Sequence, residues 1–119
     1  MTDSSTREEI LRITEAIRQA VPAERIYLFG SHAYGTPRED SDYDFYLVIP
    51  DGSMRPMEAM QEAQVALIPL GSSLRAVDVV ASTQHKFDQM RGWINTVEKD
   101  VAQKGVLLYE RRGLGAQMA

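Results

Sequence analysis

The segment 26–50 restricts the fold of this chain more than any other part of the sequence. It contains a short apolar run, a break at Gly30 and Ser31, ten residues rich in turn formers, and a second apolar run that carries Asp42 and Asp44. Short apolar runs that are bounded by glycine and other turn residues are typical of strands. The segment therefore predicts a strand, a glycine turn and a second strand.

The second predicted strand has two different faces. Side chains alternate along a strand at ~3.3 Å per residue, so Asp42 and Asp44 lie on one face, about 7 Å apart. The opposite face is apolar and consists of Tyr43, Phe45, Leu47 and Ile49. Two carboxylates at this spacing repel each other unless a cation lies between them, and such oxygen ligands suit a divalent metal ion. We therefore predict a metal site at Asp42 and Asp44.

The turn at Gly30 and Ser31 predicts a phosphate site. A glycine lets the backbone approach an anion closely, and the serine hydroxyl and nearby backbone N–H groups can donate hydrogen bonds to phosphate oxygens. The turn thus supplies the other half of a site whose first half is the pair of aspartates.

The order Gly30-Ser31, ten residues, then Asp42-x-Asp44 resembles the Gly-Ser-x-Asp-x-Asp signature of the DNA polymerase β-like nucleotidyltransferase superfamily. Each half alone would be a weak signal, but their joint occurrence between two apolar runs is specific. The short chain is most similar to the minimal nucleotidyltransferases, the branch that contains MntA-type antitoxins. The resemblance implies an α/β (α+β) fold, with a small mixed sheet of about four strands and helices on one side.

The predicted strand at residues 75–82 carries a single acidic residue, Asp78, among apolar neighbours. Burial of an unpaired carboxylate is costly, so Asp78 either reaches solvent or is paired with a cation. The resemblance implies that this strand lies beside the strand of Asp42 and Asp44, and that Asp78 completes the metal site. An ion pair with Arg75 or another arginine is the alternative.

Helical periodicity near the N-terminus predicts a helix over residues 6–21. Ser5 with Glu8, or Thr6 with Glu9, offers a capping box for its first turn. Its apolar stripe consists of Ile10, Ile13, Ile17 and Val21. The stripe predicts that this helix packs across the sheet.

The second half of the chain predicts more helix and a last strand. A helix over 56–67 begins at a proline, which suits the first turn. Residues 83–104 keep the helical step, and Gly92 kinks or splits that helix. Its apolar stripe consists of Phe87, Met90, Ile94, Val97 and Val101. A strand over 106–109 follows.

The composition limits the location and the classes of partner. The chain has 119 residues, no cysteine and a net charge of −4, from 13 basic and 17 acidic residues. We expect a single domain over 1–112 and a flexible tail over 113–119. The lack of cysteine and of a long apolar run predicts a cytoplasmic protein without a membrane span. Because proteins that bind phosphate backbones are usually basic, the acidic balance argues against nucleic acid as the acceptor.

The resemblance implies a Mg²⁺-dependent reaction in which AMP passes from ATP to a hydroxyl group. Asp42, Asp44 and Asp78 would be the catalytic and metal-binding residues, with Asp42 and Asp44 holding two Mg²⁺ ions ~3.5–4 Å apart. Gly30 and Ser31 would hold the β- and γ-phosphates of the nucleotide.

The acceptor is implied by the shortness of the chain together with the resemblance. Larger relatives bind their acceptor with additional domains, for which this chain has no room, so we expect a partner protein. Minimal members resemble antitoxins that pair with a HEPN-type RNase toxin and transfer AMP to one of its tyrosines. A non-catalytic antitoxin that only binds its partner is one alternative. A small-molecule, antibiotic-type nucleotidyltransferase that acts as an oligomer is the other.

Four residues outside the signature have two interpretations each. His32 could contact phosphate or act as a base, but we favour an exposed loop histidine. Tyr34 stands where many members of the resembling family have an arginine, so a possible contact with the triphosphate is missing. Arg38 either supplies that contact instead or is a solvated loop residue. Trp93 could stack on a nucleotide base, although a core or partner contact is more common for a single tryptophan.

Overall fold

Helices and strands alternate along the part of the chain that the computed structural model describes, which comprises residues 4–34, 42–71 and 76–111, without the side chains at positions 4, 5, 31 and 34. The helices are α1 (Ser4–Ala20), α2 (Ser31–Tyr34), α3 (Pro56–Leu67), α4 (Gln84–Met90) and α5 (Val97–Lys104). The strands are β1 (Arg25–Phe29), β2 (Tyr43–Ile49), β3 (Val77–Thr83) and β4 (Val106–Glu110). A single 3₁₀ turn, Ile68–Leu70, follows α3 within the described residues.

The four strands form one mixed sheet in the order β3-β2-β1-β4. Strand β1 is antiparallel to both β2 and β4, whereas β2 and β3 are parallel. A parallel pair requires a crossover connection, and α3 lies within the connection between β2 and β3. The predicted α/β fold with a small mixed sheet is confirmed.

The sheet is covered on both faces. On one face α1 and α3 pack over a large core that includes Ile26, Phe45 and Leu47. On the other face a smaller core contains Phe87 of α4 and Val101 of α5, packed with Tyr27, Tyr46 and Val48 of the strands. The expectation of helices on one side of the sheet is therefore wrong. The alternate positions of β2 after Asp44 are also apolar, and they need their own cover of helices.

The long helix predicted over 83–104 is two helices. Thr83 caps α4 by accepting a hydrogen bond from the Lys86 N–H at 3.3 Å, and Thr96 caps α5 by accepting one from the Lys99 N–H at 3.1 Å. Between them Asn95 has a φ of 65°, which a helix cannot contain. The periodic stripe is consequently interrupted, and only its members Phe87 and Val101 are fully buried.

The other elements agree closely with the sequence-based predictions. Helix α3 has the predicted bounds, and the last strand extends one residue beyond its predicted end. Helix α1 begins at Ser4, so the residues proposed for its capping box lie inside the helix. No helix in the described ranges has the length and apolar character that a bilayer span requires. The tail predicted over 113–119 lies outside the described residues.

Candidate active site

Two of the three predicted acidic residues lie side by side at one end of the sheet. In the parallel pairing of β2 with β3, Asp44 is directly opposite Asp78. Asp44 is half-buried and Asp78 is exposed, whereas Asp42 directly precedes β2 and is exposed. The prediction that the strand of Asp78 lies beside the strand of Asp44 is confirmed. The alternative partner for Asp78, Arg75, lies outside the described residues.

The carboxylates interact strongly with one another. Burial raises the pKa of Asp44, and the negative charges of Asp78 and Asp42, together with hydrogen bonding to Asp78, raise it further. The nearby His32 acts in the opposite direction and lowers the pKa of Asp44. The surroundings of Asp44 thus destabilise its ionised form, and a bound cation would offset this destabilisation.

The glycine turn contacts Asp44. Strand β1 ends at Phe29, which pairs with Asp44, and Gly30 follows with a φ of +77°. A Cβ atom on Gly30 would lie 2.2 Å from Oδ2 of Asp44, so only glycine fits at this position without a rearrangement. Ser31 begins α2, so its backbone adjoins the acids, whereas its side chain is outside the described set.

The donor atoms suit Mg²⁺ in type, because all three candidate ligands are carboxylates and Mg²⁺ prefers oxygen. Within residues 4–34, 42–71 and 76–111, however, no three His, Cys, Asp or Glu side chains converge closely enough to hold a metal ion. The structure brings Asp44 and Asp78 together, and it leaves Asp42 within electrostatic range of them but not in a ready cluster. The carboxylates fit the ion by oxygen type and by charge, whereas the three side chains do not converge on one point.

His32 is not the exposed loop residue that we favoured from the sequence. Its side chain is only 7% exposed, and its ring centroid lies 4.6 Å from that of Tyr43. The burial could not be read from a turn-rich segment, because it depends on the short helix α2 and on a contact with another strand. Sequence reasoning also missed Glu9 of α1, which accepts a hydrogen bond from the Tyr43 hydroxyl.

The other uncertain residues lie apart from the acids or outside the description. The side chain of Tyr34 and the whole of Arg38 are not described. Trp93 lies in the connection between α4 and α5 and is 57% exposed, so it is not a core residue.

A cavity of about 430 Å³ lies at the opposite end of the sheet from the acids. It is lined by Glu24, Arg25, Pro50, Asp51, Gln84, Asp88 and Glu110. At the other end of the sheet, the side chains of Asp42 and Asp78 are exposed.

Solved structures of other proteins share this fold. A protein from Sulfolobus solfataricus, named as a possible nucleotidyltransferase, is 20% identical with a TM-score of 0.60, over 88% of this chain and 80% of its own. A toxin–antitoxin crystallised with AMP-PNP is 22% identical with a TM-score of 0.55, over 91% of this chain and 78% of its own. A mutant of the toxin–antitoxin MntA-HpeT is 23% identical with a TM-score of 0.57, over the same shares of 91% and 78%.

The sequence itself carries a family assignment. No curated protein has a significantly similar sequence. The family model for the nucleotidyltransferase domain, however, matches residues 10–109, which include both strands of the acidic pair and the glycine turn. Because the match extends from α1 to β4, this chain belongs to the nucleotidyltransferase domain family.

Proposed function

We propose that this chain is a Mg²⁺-dependent adenylyltransferase that moves AMP from ATP to a hydroxyl group of a partner protein. The observation that carries the proposal is the pairing of Asp44 with Asp78 directly beside Gly30. In this arrangement two carboxylates, which can bind a metal ion, lie next to a glycine turn, which can bind the phosphates of a nucleotide.

The proposed roles follow from position. Asp42, Asp44 and Asp78 hold the metal ions, which when bound neutralise charge on the phosphates and activate the attacking oxygen. The raised pKa of Asp44 supports this role, because a cation removes the repulsion that disfavours its ionised form. The backbone N–H groups of the turn at Gly30 and Ser31 would donate hydrogen bonds to the β- and γ-phosphates.

The reaction is a single displacement at phosphorus. The acceptor oxygen forms a bond to the α-phosphorus, and the bond from that phosphorus to the oxygen of the β-phosphate breaks. Pyrophosphate leaves with the electron pair. The hydroxyl proton passes to a carboxylate, a role that we assign to Asp78.

The proposed acceptor is a tyrosine of a toxin of the HEPN type, which would make the chain its antitoxin. The fold is shared with structures described as toxin–antitoxin, one of them with the ATP analogue AMP-PNP. The exposed side chains of Asp42 and Asp78 support an acceptor that reaches them from outside the chain. A cytoplasmic location is part of the proposal, because the proposed reaction consumes ATP.

The test is intact-mass analysis of a co-expressed helical partner after incubation with the chain, ATP and Mg²⁺. Asp42→Asn and Asp44→Asn are the inactive variants. Asp88→Asn is the matched control, because Asp88 is an exposed aspartate at the opposite end of the sheet. We expect AMP adducts on the partner with the unmodified chain and with Asp88→Asn, and none with the other two variants.

Two outcomes would contradict the proposal. Adducts that persist in Asp44→Asn would remove that residue from the catalytic site. A tight complex without any adduct would favour an antitoxin that acts by binding alone, and the transfer reaction would then be wrong.

A further inference from the structure

Tyr43 lies between the two aspartates of the signature, yet its side chain points to the opposite face of the sheet. It is fully buried in the core beneath α1. Its hydroxyl donates a hydrogen bond to Glu9 of α1, and its backbone N–H donates one to the Ala76 carbonyl at 3.0 Å. The residue that joins Asp42 to Asp44 is therefore tied both to the first helix and to the chain that leads into β3.

The same tyrosine ring contacts the helix that follows the glycine turn. His32 packs against Tyr43 with the two rings inclined at 49°, and it is almost fully buried. The Ala33 N–H donates a hydrogen bond to the Gly30 carbonyl at 3.0 Å, which joins α2 to the turn. Tyr43 is thus linked to the aspartates through the backbone and to α2 through its ring.

We propose that Tyr43 is a positioning residue, whose hydrogen bond to Glu9 and ring contact with His32 together fix the glycine turn relative to the flanking aspartates. This inference rests on the proposed nucleotidyl transfer. Group transfer depends on placement, since a displacement of about 1 Å can lower the rate about 100-fold. Asp42 and Asp44 are the chain neighbours of Tyr43, so any shift of Tyr43 moves both carboxylates against the turn.

The hydroxyl of Tyr43 can be removed with little change in volume. Tyr43→Phe keeps the ring but loses the hydrogen bond to Glu9. Tyr46→Phe is the matched control, because Tyr46 is a fully buried tyrosine of the same strand whose hydroxyl donates to Oε2 of Glu98 at 2.7 Å. Glu9→Gln keeps an acceptor oxygen for Tyr43, whereas Glu9→Ala removes it.

The expected results separate the two halves of the site. Tyr43→Phe and Glu9→Ala should lower kcat for AMP transfer about tenfold with KM for ATP within about twofold, because the carboxylates shift. Glu9→Gln should retain most of the activity. His32→Ala should raise KM for ATP at least about fivefold, because the phosphate turn loses its support. Tyr46→Phe should resemble the unmodified chain.

Calorimetry with AMP-PNP and Mg²⁺ distinguishes misplacement from unfolding. In Tyr43→Phe the binding stoichiometry should equal that of the unmodified chain, so that the lower kcat belongs to folded molecules. Equal kcat values for Tyr43→Phe and Tyr46→Phe, with transfer intact in the unmodified chain, would overturn the positioning role alone. An unmodified chain that neither binds AMP-PNP nor transfers AMP would overturn the proposed function and this inference together.

Discussion

Gly30 and Asp44 touch across the pairing of β1 with β2: a Cβ atom on Gly30 would lie 2.2 Å from Oδ2 of Asp44. The glycine turn and the acidic strand β2 are therefore in direct contact, and a substitution in one affects the other. Gly30 has no side chain, and the Asp44 carboxylate occupies the place that a side chain would take.

The substitution Gly30→Ala tests this contact. Gly52 is the matched control, because its φ is also +77° but an added Cβ would meet nothing within 4 Å. Both alanine variants should lose about 1–2 kcal/mol from backbone strain. Gly30→Ala should lose about 1–3 kcal/mol more through the clash with Asp44, measured by urea unfolding. Equal losses for the two variants would mean that the contact carries no energy.

The raised pKa of Asp44 predicts a dependence of stability on pH in the metal-free protein. A carboxyl group with a higher pKa in the folded state binds its proton more tightly when folded, so stability falls as pH rises through the window between the ordinary and the raised pKa. The substitution Asp44→Asn should abolish this loss of stability at higher pH, because an asparagine side chain does not ionise. The variant should therefore be more stable than the unmodified chain at pH 7, and the difference should shrink toward pH 4.

Thermal unfolding across that pH range measures the effect of Asp44. Asp88→Asn removes one exposed carboxylate far from the acids and corrects for the change in net charge. An Asp44→Asn variant that is less stable than the unmodified chain at pH 7, in the absence of metal, would contradict the repulsion between the carboxylates.

Bound ligand should make the unmodified chain more stable than the Asp44→Asn variant. Mg²⁺ with AMP-PNP at about 100 times its Kd should stabilise the unmodified chain by about 2.7 kcal/mol, and Asp88→Asn by the same amount. Asp42→Asn and Asp44→Asn should show little stabilisation, because a ligand to the metal ion is lost. Differential scanning fluorimetry with and without EDTA provides the measurement. Full stabilisation of Asp44→Asn would exclude it as a ligand of the metal ion.

The sequence was sufficient to predict the candidate site residues but not the packing contacts around them. The glycine turn, the alternation of Asp42 and Asp44, and the lone acid at Asp78 each have a local signature. Their assembly required only that two strands lie side by side, which the pairing of Asp44 with Asp78 confirms. The catalytic and metal-binding roles of these residues stay predictions.

What could not be predicted depends on contacts between distant segments. Tyr46 and Val48 alternate onto the same face of β2 as the aspartates, and a second core under α4 and α5 buries them. The burial of His32 results from its contact with Tyr43, and no local pattern encodes that contact. The apolar periodicity extends across the break near Asn95, so it predicted one long helix. Such a stripe does not show that a single residue has a positive φ.

The division between α4 and α5 gives the last prediction. Phe87 is fully buried, with its ring 5.7 Å from that of Tyr27, whereas Ile94 is 78% exposed although it belongs to the same predicted stripe. Phe87→Ala should destabilise the protein by about 3–5 kcal/mol, because it opens a cavity in the second core. Ile94→Ala should change stability by less than about 0.5 kcal/mol. Urea unfolding of both variants decides the matter, since comparable losses would mean that one continuous helix buries both side chains and that the sheet face under α4 and α5 is covered differently.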